Sequence, residues 1–324
     1  MGNTGLRVSA LGFGCGAVGG LMVGGAPDEQ RQAVARALDA GITYFDTAPG
    51  YGNGQSEEHL GRVMQALGAW DRVVVGTKVR LSPTDLDQPR QAIRASLETS
   101  LRRLARANVD VFHLHNPIAL IGGASDRRGA LDLDTVLGEI TRGMHAVVEA
   151  GLAAHVGITG LGDTAALTEA VLAERFETVQ TYFNVLNPSA GYTGHAPDGQ
   201  QDFHGLIDAA ARVGTGVIVI RVLAAGAAAA VPQRAAIAGD PGGALAGSAY
   251  PDDLERAQRL APLAAELGLT GPVELAVRFG LSKPGVSTVL VGYSSLAHLE
   301  QAIQYAERGA LPDAAVQRIL AAMG

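Results

Sequence analysis

Four side chains that together could move a proton at a carbonyl group lie in the first 115 residues of the chain: Asp46, Tyr51, Lys78 and His115. A lysine within an apolar run is costly to bury unless a counter-charge accompanies it, so Lys78 requires a partner such as Asp46. An ammonium group beside a phenol favours the phenolate, and we expect Lys78 to lower the pKa of Tyr51 from its usual value of about 10. His115 could orient or polarise a carbonyl oxygen at the same place. These residue types predict proton transfer at a carbonyl or an alcohol.

Predicted strands bring the four residues to one edge of a sheet. The run Ile42–Thr47 is apolar, and the Gly- and Pro-containing segment after it predicts a loop, so a buried strand delivers Asp46 and the loop presents Tyr51. Lys78 and His115 lie near the ends of the next two apolar runs. Because the carboxyl ends of parallel strands meet at one edge, we expect these side chains to converge.

Apolar, β-branched runs alternate with helix-patterned stretches along the chain, which predicts parallel strands joined by crossovers. About eight such units favour an α/β fold of the (β/α)8 TIM-barrel type over an open sheet. The predicted strands are Ala10–Cys15, Ile42–Thr47, Val73–Val79, Val109–His115, Ala153–Thr159, Thr178–Phe183, Gly216–Val222 and Val286–Gly292. The predicted helices include Asp28–Ala40, Ser56–Leu67, Pro89–Arg106, Thr135–Ala150 and Thr164–Glu174.

Three connections are too long for ordinary barrel loops: Asn116–Asp134, Asn184–Phe203 and Leu223–Tyr250. Each follows a strand, so we expect all three on the C-terminal face of the barrel, as walls of a substrate and cofactor site. They contain few aromatic residues, which favours a polar substrate such as a sugar over a steroid. None of them separates two self-sufficient patterns, and we predict a single domain over residues 1–324.

Composition excludes several other classes of protein. A formal net charge of −7 with no block of Lys and Arg argues against a nucleic-acid surface. The single cysteine, Cys15, cannot form an intramolecular disulfide and fits a reducing compartment. No signal-peptide pattern opens the chain, and no apolar stretch reaches the roughly 20 residues that cross a bilayer. We therefore expect a cytoplasmic protein with a small-molecule substrate and without a metal or a membrane partner, whose oligomeric state stays open.

The segments that carry these residues resemble the aldo-keto reductase family. The matching motifs are F-D-T-A followed by Y-G at Asp46 and Tyr51, T-K at Lys78 and L-H-N-P at His115. The opening T-G-L-R-V-S-A-L-G-F-G is similar to that family's N-terminal β-hairpin and first strand, and the resemblance covers nearly the whole chain. It implies a barrel oxidoreductase with Tyr51 as general acid/base, Asp46 and Lys78 as its tuning pair, and His115 orienting the substrate oxygen. The segment L-G-F-G-C-G-A-V-G-G is closer to the aldose dehydrogenase branch, which implies a sugar substrate.

The same resemblance implies NADP or NAD bound in extended form, with the nicotinamide at the ends of later strands. Thr159 and Gln180 correspond to contacts with the carboxamide. After the seventh strand, I-V-I-R-V-L places Ile220 or Arg221 where the family often stacks an aromatic ring on the nicotinamide, with Leu223 in the same loop.

The adenosine end of the cofactor would lie at the last strand and helix, in V-L-V-G-Y-S-S-L-A-H, with Gly292, Tyr293, Ser294 and His298 as the contacts. Backbone N–H groups at a helix start favour phosphate oxygens. The Lys or Arg that family members use for a 2′-phosphate is missing, and Ala302 replaces an Asn that often contacts adenine. We therefore expect NAD, or use of both cofactors.

Two alternatives use the same residues differently. A lysine desolvated on a barrel strand can attack a carbonyl, so Lys78 could serve a Schiff-base aldolase. A barrel that binds the dinucleotide could instead be a non-catalytic redox sensor, although retention of all four site residues argues against it. His113, two residues before His115, points to the same side but deeper, where we predict a structural role.

Overall fold

The computed structural model describes residues 1–120, 129–241 and 246–323. The barrel strands are β1 (Leu11–Gly14), β2 (Tyr44–Asp46), β3 (Val74–Val79), β4 (Val109–Leu114), β5 (Ala153–Gly160), β6 (Thr178–Tyr182), β7 (Gly216–Ile220) and β8 (Val286–Gly292). These eight parallel strands close into a barrel in the order β1-β8-β7-β6-β5-β4-β3-β2, which confirms the predicted (β/α)8 fold. Each lies within a residue or two of its predicted position, because strands buried on both faces are read from continuous apolar runs.

Helices surround the barrel and bury one apolar stripe each against it, as Ala33, Val34 and Ala37 do in the first helix. They are α1 (Pro27–Asp39), α2 (Gln55–Leu67), α3 (Pro89–Leu104), α4 (Thr141–Glu149), α5 (Thr164–Leu172), α6 (Leu206–Arg212), α7 (Tyr250–Glu266), α8 (Pro272–Ser282), α9 (Leu296–Glu307) and α10 (Asp313–Ala321). Shorter helical turns lie at Gly2–Thr4, Leu21–Gly24, Trp70–Arg72, Pro83–Asp87, Leu133–Thr135, Val136–Ile140 and Ala224–Ala229. Among the described residues, no helix is both long and apolar enough to cross a membrane.

The N-terminal β-hairpin expected from the family resemblance is wrong. Residues Gly2–Thr4 form one turn of 3-10 helix, and the first strand begins only at Leu11. Met1, Leu6 and Val8 instead pack on an apolar layer inside the barrel made of Tyr44, Val111, Ile218 and Leu290. This segment covers the N-terminal end of the barrel by side-chain packing, so it needs no strand pairing of its own.

The three long connections follow β4, β6 and β7, and therefore leave the C-terminal end of the barrel as predicted. The first contains a pair of two-residue strands, Ile118–Ala119 and Leu131–Asp132. Its residues 121–128, like residues 242–245 of the third, lie outside the described part of the chain. The second connection, which begins at Asn184, is stabilised by buried hydrogen bonds. The Asn184 side-chain oxygen accepts the N–H groups of Leu186 (2.8 Å) and Asn187 (2.9 Å).

Candidate active site

Lys78 and Asp46 form a buried ion pair inside the barrel. The Lys78 Nζ lies 2.5 Å from Asp46 Oδ1, and it also donates to the Thr47 carbonyl oxygen at 2.7 Å. Asp46 lies opposite Gly76 on the neighbouring strand, and a Cβ at Gly76 would come within 2.6 Å of the Tyr44 hydroxyl oxygen. A glycine at that position therefore leaves room for the Tyr44 hydroxyl and for the Asp46 carboxylate beside it. Two strands place the charges together as the sequence predicts.

Asp46 has a second donor from across the barrel. The side-chain nitrogen of Gln180, a residue of β6, lies 2.5 Å from Asp46 Oδ2. Burial raises the pKa of the Asp46 carboxyl group, while the Lys78 ammonium and the hydrogen bonds from Lys78, Gln180 and Tyr44 oppose that rise. Burial would lower the pKa of Lys78, but Asp46 and Tyr51 outweigh it and hold that pKa above its usual value. Lys78 thus stays charged at neutral pH.

Tyr51 sits on the loop between β2 and α2, above the ion pair. The Lys78 Nζ is 4.9 Å from the centre of the Tyr51 ring. Burial raises the pKa of Tyr51, and although Lys78 lowers it, the result lies above the usual value. The expectation of a net lowered pKa is therefore wrong, because desolvation of the phenolate exceeds the attraction of an ammonium already neutralised by Asp46. Tyr51 is a protonated phenol at neutral pH and can act as a proton donor.

His115 completes the set from the end of β4. Its ring meets the Tyr51 ring edge-on, with 6.1 Å between the ring centres. Burial, helped by the positive charges of Lys78 and Arg80, lowers the pKa of His115 to about 3, so the imidazole is neutral at physiological pH. The structure therefore brings together all four residues that the sequence singled out. His113 lies deeper, with Nε2 3.1 Å from the Thr178 hydroxyl oxygen.

The lowered pKa values of His113 and His115 predict how the free energy of unfolding depends on pH. Burial is the main cause of both shifts: the pKa of His115 is lowered to about 3, and that of His113 lies well below its usual 6.5. The unfolded chain gains these protons below about pH 6.5 and the folded chain does not, so acid favours the unfolded state. We expect the free energy of unfolding to fall as the pH drops from about 6.5 toward 3, with no contribution from these groups above about pH 7.

Urea denaturation of the wild type and of a His113→Gln variant, at about pH 7 and about pH 4.5, measures this effect. Carboxylates contribute to both proteins equally, so the difference isolates the histidine. The variant should lose less stability than the wild type between the two pH values. An equal loss in both proteins would show that His113 is protonated in the folded state.

At the ends of β5 and β6, Thr159 and Gln180 are paired neighbours. The Thr159 hydroxyl is buried and has no hydrogen-bond partner among the residues that the structure describes. An unsatisfied buried hydroxyl costs about 1–3 kcal/mol, which a ligand amide could relieve. Gln180 uses its nitrogen for Asp46 and keeps its carbonyl oxygen as an acceptor. These two side chains fit the carboxamide of a nicotinamide.

Past the end of β7, the chain turns sharply. Arg221 has a positive φ of 61°, and its carbonyl oxygen accepts the Asn184 side-chain nitrogen at 3.0 Å. Leu223, half-buried, starts the turn Ala224–Ala229, and its carbonyl oxygen accepts the Gly226 N–H at 2.7 Å. No aromatic residue occupies this position, as the sequence predicts.

At the end of β8, two of the predicted adenosine contacts face inward. The Tyr293 ring is buried against Phe13, with 4.9 Å between ring centres, and the Ser294 hydroxyl donates to the Gly19 carbonyl oxygen at 2.6 Å. The buried Tyr293 ring is therefore closed to a ligand, whereas the half-buried Ser294 hydroxyl oxygen can still accept a hydrogen bond. Gly292 and the His298 side chain are exposed.

The start of α9 already carries a negative charge. The Leu296 N–H donates to the Glu29 carboxylate at 3.2 Å, and the His298 N–H donates to the Ser295 hydroxyl oxygen at 3.3 Å. These two bonds engage backbone N–H groups that were expected to bind a phosphate. The Glu29 carboxylate would also repel a phosphate bound at this place. Sequence reasoning missed Glu29 because it lies on α1, more than 260 residues away along the chain.

Asn116 is a second residue that sequence reasoning did not single out. It follows His115 directly, and its side-chain oxygen accepts the Leu81 N–H while its nitrogen donates to the Leu81 carbonyl oxygen, both at 2.8 Å. The pair of bonds ties the end of β4 to the segment after β3. The sequence signal that could have identified Asn116 is a side-chain amide directly after the end of a strand.

Comparison with known proteins shows the family of this chain. The model of the Aldo/keto reductase family matches residues 10–323. D-threo-aldose 1-dehydrogenase of Pseudomonas sp is 30% identical over 331 residues, covering 93% of this chain and 90% of that protein. Aldo-keto reductase YhdN of Bacillus subtilis (strain 168) is 39% identical over 124 residues, which are 37% of this chain and only 38% of that protein.

The same fold is found in the solved structure of aldo-keto reductase AKR11C1 from Bacillus halodurans in its holo form, with a TM-score of 0.73 and 22% identity over 99% of this chain and 94% of that one. The closed eight-stranded barrel defines the class of the protein as a (β/α)8 barrel. The chain belongs to the aldo/keto reductase family.

Proposed function

We propose that the protein is a nicotinamide-dependent oxidoreductase that interconverts the carbonyl and alcohol forms of an aldehyde, a ketone or an aldose. The observation that carries this proposal is the buried Lys78–Asp46 pair beneath Tyr51, with a neutral imidazole from His115 beside the same ring. Such a set moves a proton at one oxygen atom. It contains no second acid/base pair that hydrolysis would use.

Tyr51 is the group that gives or takes the proton of the substrate oxygen. As carbonyl reduction places negative charge on that oxygen, the Tyr51 phenol donates its proton, and Lys78 stabilises the phenolate that is left. Asp46 keeps Lys78 charged and in place at 2.5 Å. His115, neutral at physiological pH, donates a hydrogen bond that orients the same oxygen. In alcohol oxidation these roles run in reverse.

A bound nicotinamide cofactor supplies or accepts the hydride. Thr159 and Gln180 would hold its carboxamide, since they are neighbours on adjacent strands and the buried Thr159 hydroxyl has no partner among the described residues. Arg221 and Leu223 would border it after β7, and the backbone at Gly292–Ser294, with His298, would border its adenosine.

NAD is the expected cofactor rather than NADP. The segment after β8 offers no Lys or Arg from Gly292 to Ala302, and the Glu29 carboxylate already accepts the Leu296 N–H. A 2′-phosphate there would meet the Glu29 carboxylate, and Arg36, which contacts the same helix, is already paired with Glu300 at 2.7 Å, so the extra phosphate would weaken binding. We expect NADH to bind more tightly than NADPH, and a Glu29→Gln variant to narrow that difference. Calorimetric titration of both proteins with both cofactors measures it, and tighter NADPH binding by the wild type would contradict the charge argument.

An aldose is the substrate class that the proposal favours. The long loops carry few large aromatic residues, which suits a polyhydroxyl substrate, and the D-threo-aldose 1-dehydrogenase relative matches this chain over most of its length. The neutral His115 and the Tyr51 phenol offer donors for sugar oxygens.

To test the proposal, purified protein is incubated with NAD or NADP and a panel of aldoses, and with NADH or NADPH and simple aldehydes and ketones, while the absorbance of the reduced nicotinamide is followed. Tyr51→Phe is the matched control for background oxidation. We expect turnover that disappears in the control. Tight cofactor binding without turnover across the whole panel would instead favour the redox-sensor alternative.

A further inference from the structure

Arg221 occupies a strained position at the mouth of the barrel. Its φ of 61° lies in the left-handed region, which residues other than glycine rarely adopt and which costs of order 1 kcal/mol or more. The Asn184 side-chain nitrogen (3.0 Å) and the Ala224 N–H (2.8 Å) both donate to its carbonyl oxygen and hold it there. The side chain therefore leaves the end of β7 in a direction that the loop after β6 enforces.

The guanidinium of Arg221 is half-buried without a carboxylate partner among the residues described. Its Nη1 donates to the Pro241 carbonyl oxygen at 2.9 Å, and Arg234 similarly donates through Nη2 to the nearby Gly239 carbonyl oxygen at 2.7 Å. Burial lowers the pKa of Arg221, and Tyr182, Tyr51 and Asp253 oppose that effect while Arg234 adds to it.

Three other poorly exposed arginines do have acidic partners. Arg103 lies 3.1 Å from Glu57, Arg278 lies 2.9 Å from Glu274, and Arg256 lies 2.7 Å from Asp253. The last pair also shows that Asp253 is already engaged elsewhere. Desolvating a cation without a counter-charge is unfavourable, and strain adds to that cost at the same residue. An anion that binds at this position would offset the desolvation cost.

We propose that Arg221, supported by Arg234, forms an anion-binding subsite at the C-terminal end of β7 that takes the oxygens of a phosphate or a carboxylate. The subsite rests on the proposed function, because its anion would belong to the cofactor or to the substrate that this function requires. The anion is either the pyrophosphate of the dinucleotide or an acidic group of the substrate itself. Guanidinium groups bind both with paired N–H donors, and Arg221 has only one donor engaged within the described structure.

Arg221→Gln removes the charge and keeps a shorter polar side chain that can still donate a hydrogen bond, and Arg221→Lys keeps the charge. Both retain a side chain on the strained backbone, so the strain is matched. Calorimetric titration measures the Kd of NADH and of inorganic pyrophosphate for each protein. Steady-state kinetics measures KM for glyceraldehyde 3-phosphate and for glyceraldehyde, which differ by one phosphate group.

We expect Arg221→Gln to weaken binding of one anion-bearing ligand about tenfold or more, with neutral glyceraldehyde changed less than about twofold and Arg221→Lys intermediate. A rise in the Kd of NADH and pyrophosphate assigns the subsite to the cofactor, and a rise confined to the KM of the phosphorylated aldehyde assigns it to the substrate. Unchanged values for every ligand in a folded Arg221→Gln protein would overturn the proposal. If that variant does not fold, Arg234→Gln must show a smaller loss for the same ligand, and no loss there would overturn it equally.

The binding arm needs no turnover, so failure of the two proposals can be told apart. A wild-type protein that reduces no carbonyl but binds pyrophosphate in an Arg221-dependent way would contradict the oxidoreductase proposal alone. An active protein whose ligands are all insensitive to Arg221 would contradict the anion subsite alone.

Discussion

Replacing Tyr51 by phenylalanine is expected to lower the rate of carbonyl reduction by about 10²- to 10⁴-fold, the range in which a positioned general acid contributes. The variant keeps the aromatic ring, which lies 4.9 Å from Lys78 Nζ and meets the His115 ring edge-on, and it removes only the hydroxyl. Packing and cofactor affinity should therefore change little. Comparing kcat with the Kd of NADH separates the lost proton donor from a damaged site.

Tyr192→Phe is the matched control, because this tyrosine packs against Phe183 and Lys283, outside the set around Asp46. We expect that control to keep wild-type activity. If the Tyr51 and Tyr192 variants reduce aldehydes equally fast, the phenol of Tyr51 is not the proton donor.

Lys78→Met is expected to abolish activity and also to destabilise the fold by about 3–5 kcal/mol, because it leaves the buried Asp46 without its counter-charge. The Lys78 and Asp46 side chains are 0% and 5% exposed, so water cannot replace the lost ammonium. The double variant Asp46→Asn with Lys78→Met removes both charges. It should recover most of the stability and none of the activity, which distinguishes a charge effect from a packing defect.

The chain contains two lysines, and the other one supplies the control. Lys283 lies 2.7 Å from Asp208, whose side chain is 57% exposed, so Lys283→Met should cost about 1 kcal/mol or less. Urea denaturation at about pH 7 gives the free energy of unfolding for all four proteins. Equal stability of the Lys78 and Lys283 variants would mean that Asp46 is protonated in the folded protein.

The strands and the four site residues could be predicted because their signals are local. Continuous apolar runs mark the barrel strands, and a parallel barrel brings the ends of those strands together whatever the details of packing. The positions of strand ends are therefore enough to predict that four side chains lie close together: Asp46, Tyr51, Lys78 and His115. The roles assigned to them stay predictions.

The parts that sequence could not predict depend on contacts between distant segments. Gln180 reaches Asp46 across the barrel from 134 positions away, and Glu29 reaches the start of α9 from α1. The net pKa of Tyr51 depends on how far burial exceeds the influence of Lys78, which only the folded environment decides. The prediction of an N-terminal hairpin was wrong for a similar reason, because Met1, Leu6 and Val8 pack on the barrel itself.

Transfer of deuterium from position 4 of the reduced nicotinamide cofactor to the carbonyl carbon of an aldehyde is the most direct test of the proposed chemistry. We expect NMR of the product alcohol to show deuterium on that carbon with the wild-type protein, and transfer slowed about 10²-fold or more with Tyr51→Phe at an unchanged Kd for the cofactor. Absence of deuterium from every product, or transfer at equal rates in both proteins, would contradict the assignment of Tyr51, Lys78, Asp46 and His115 to one proton-transfer site.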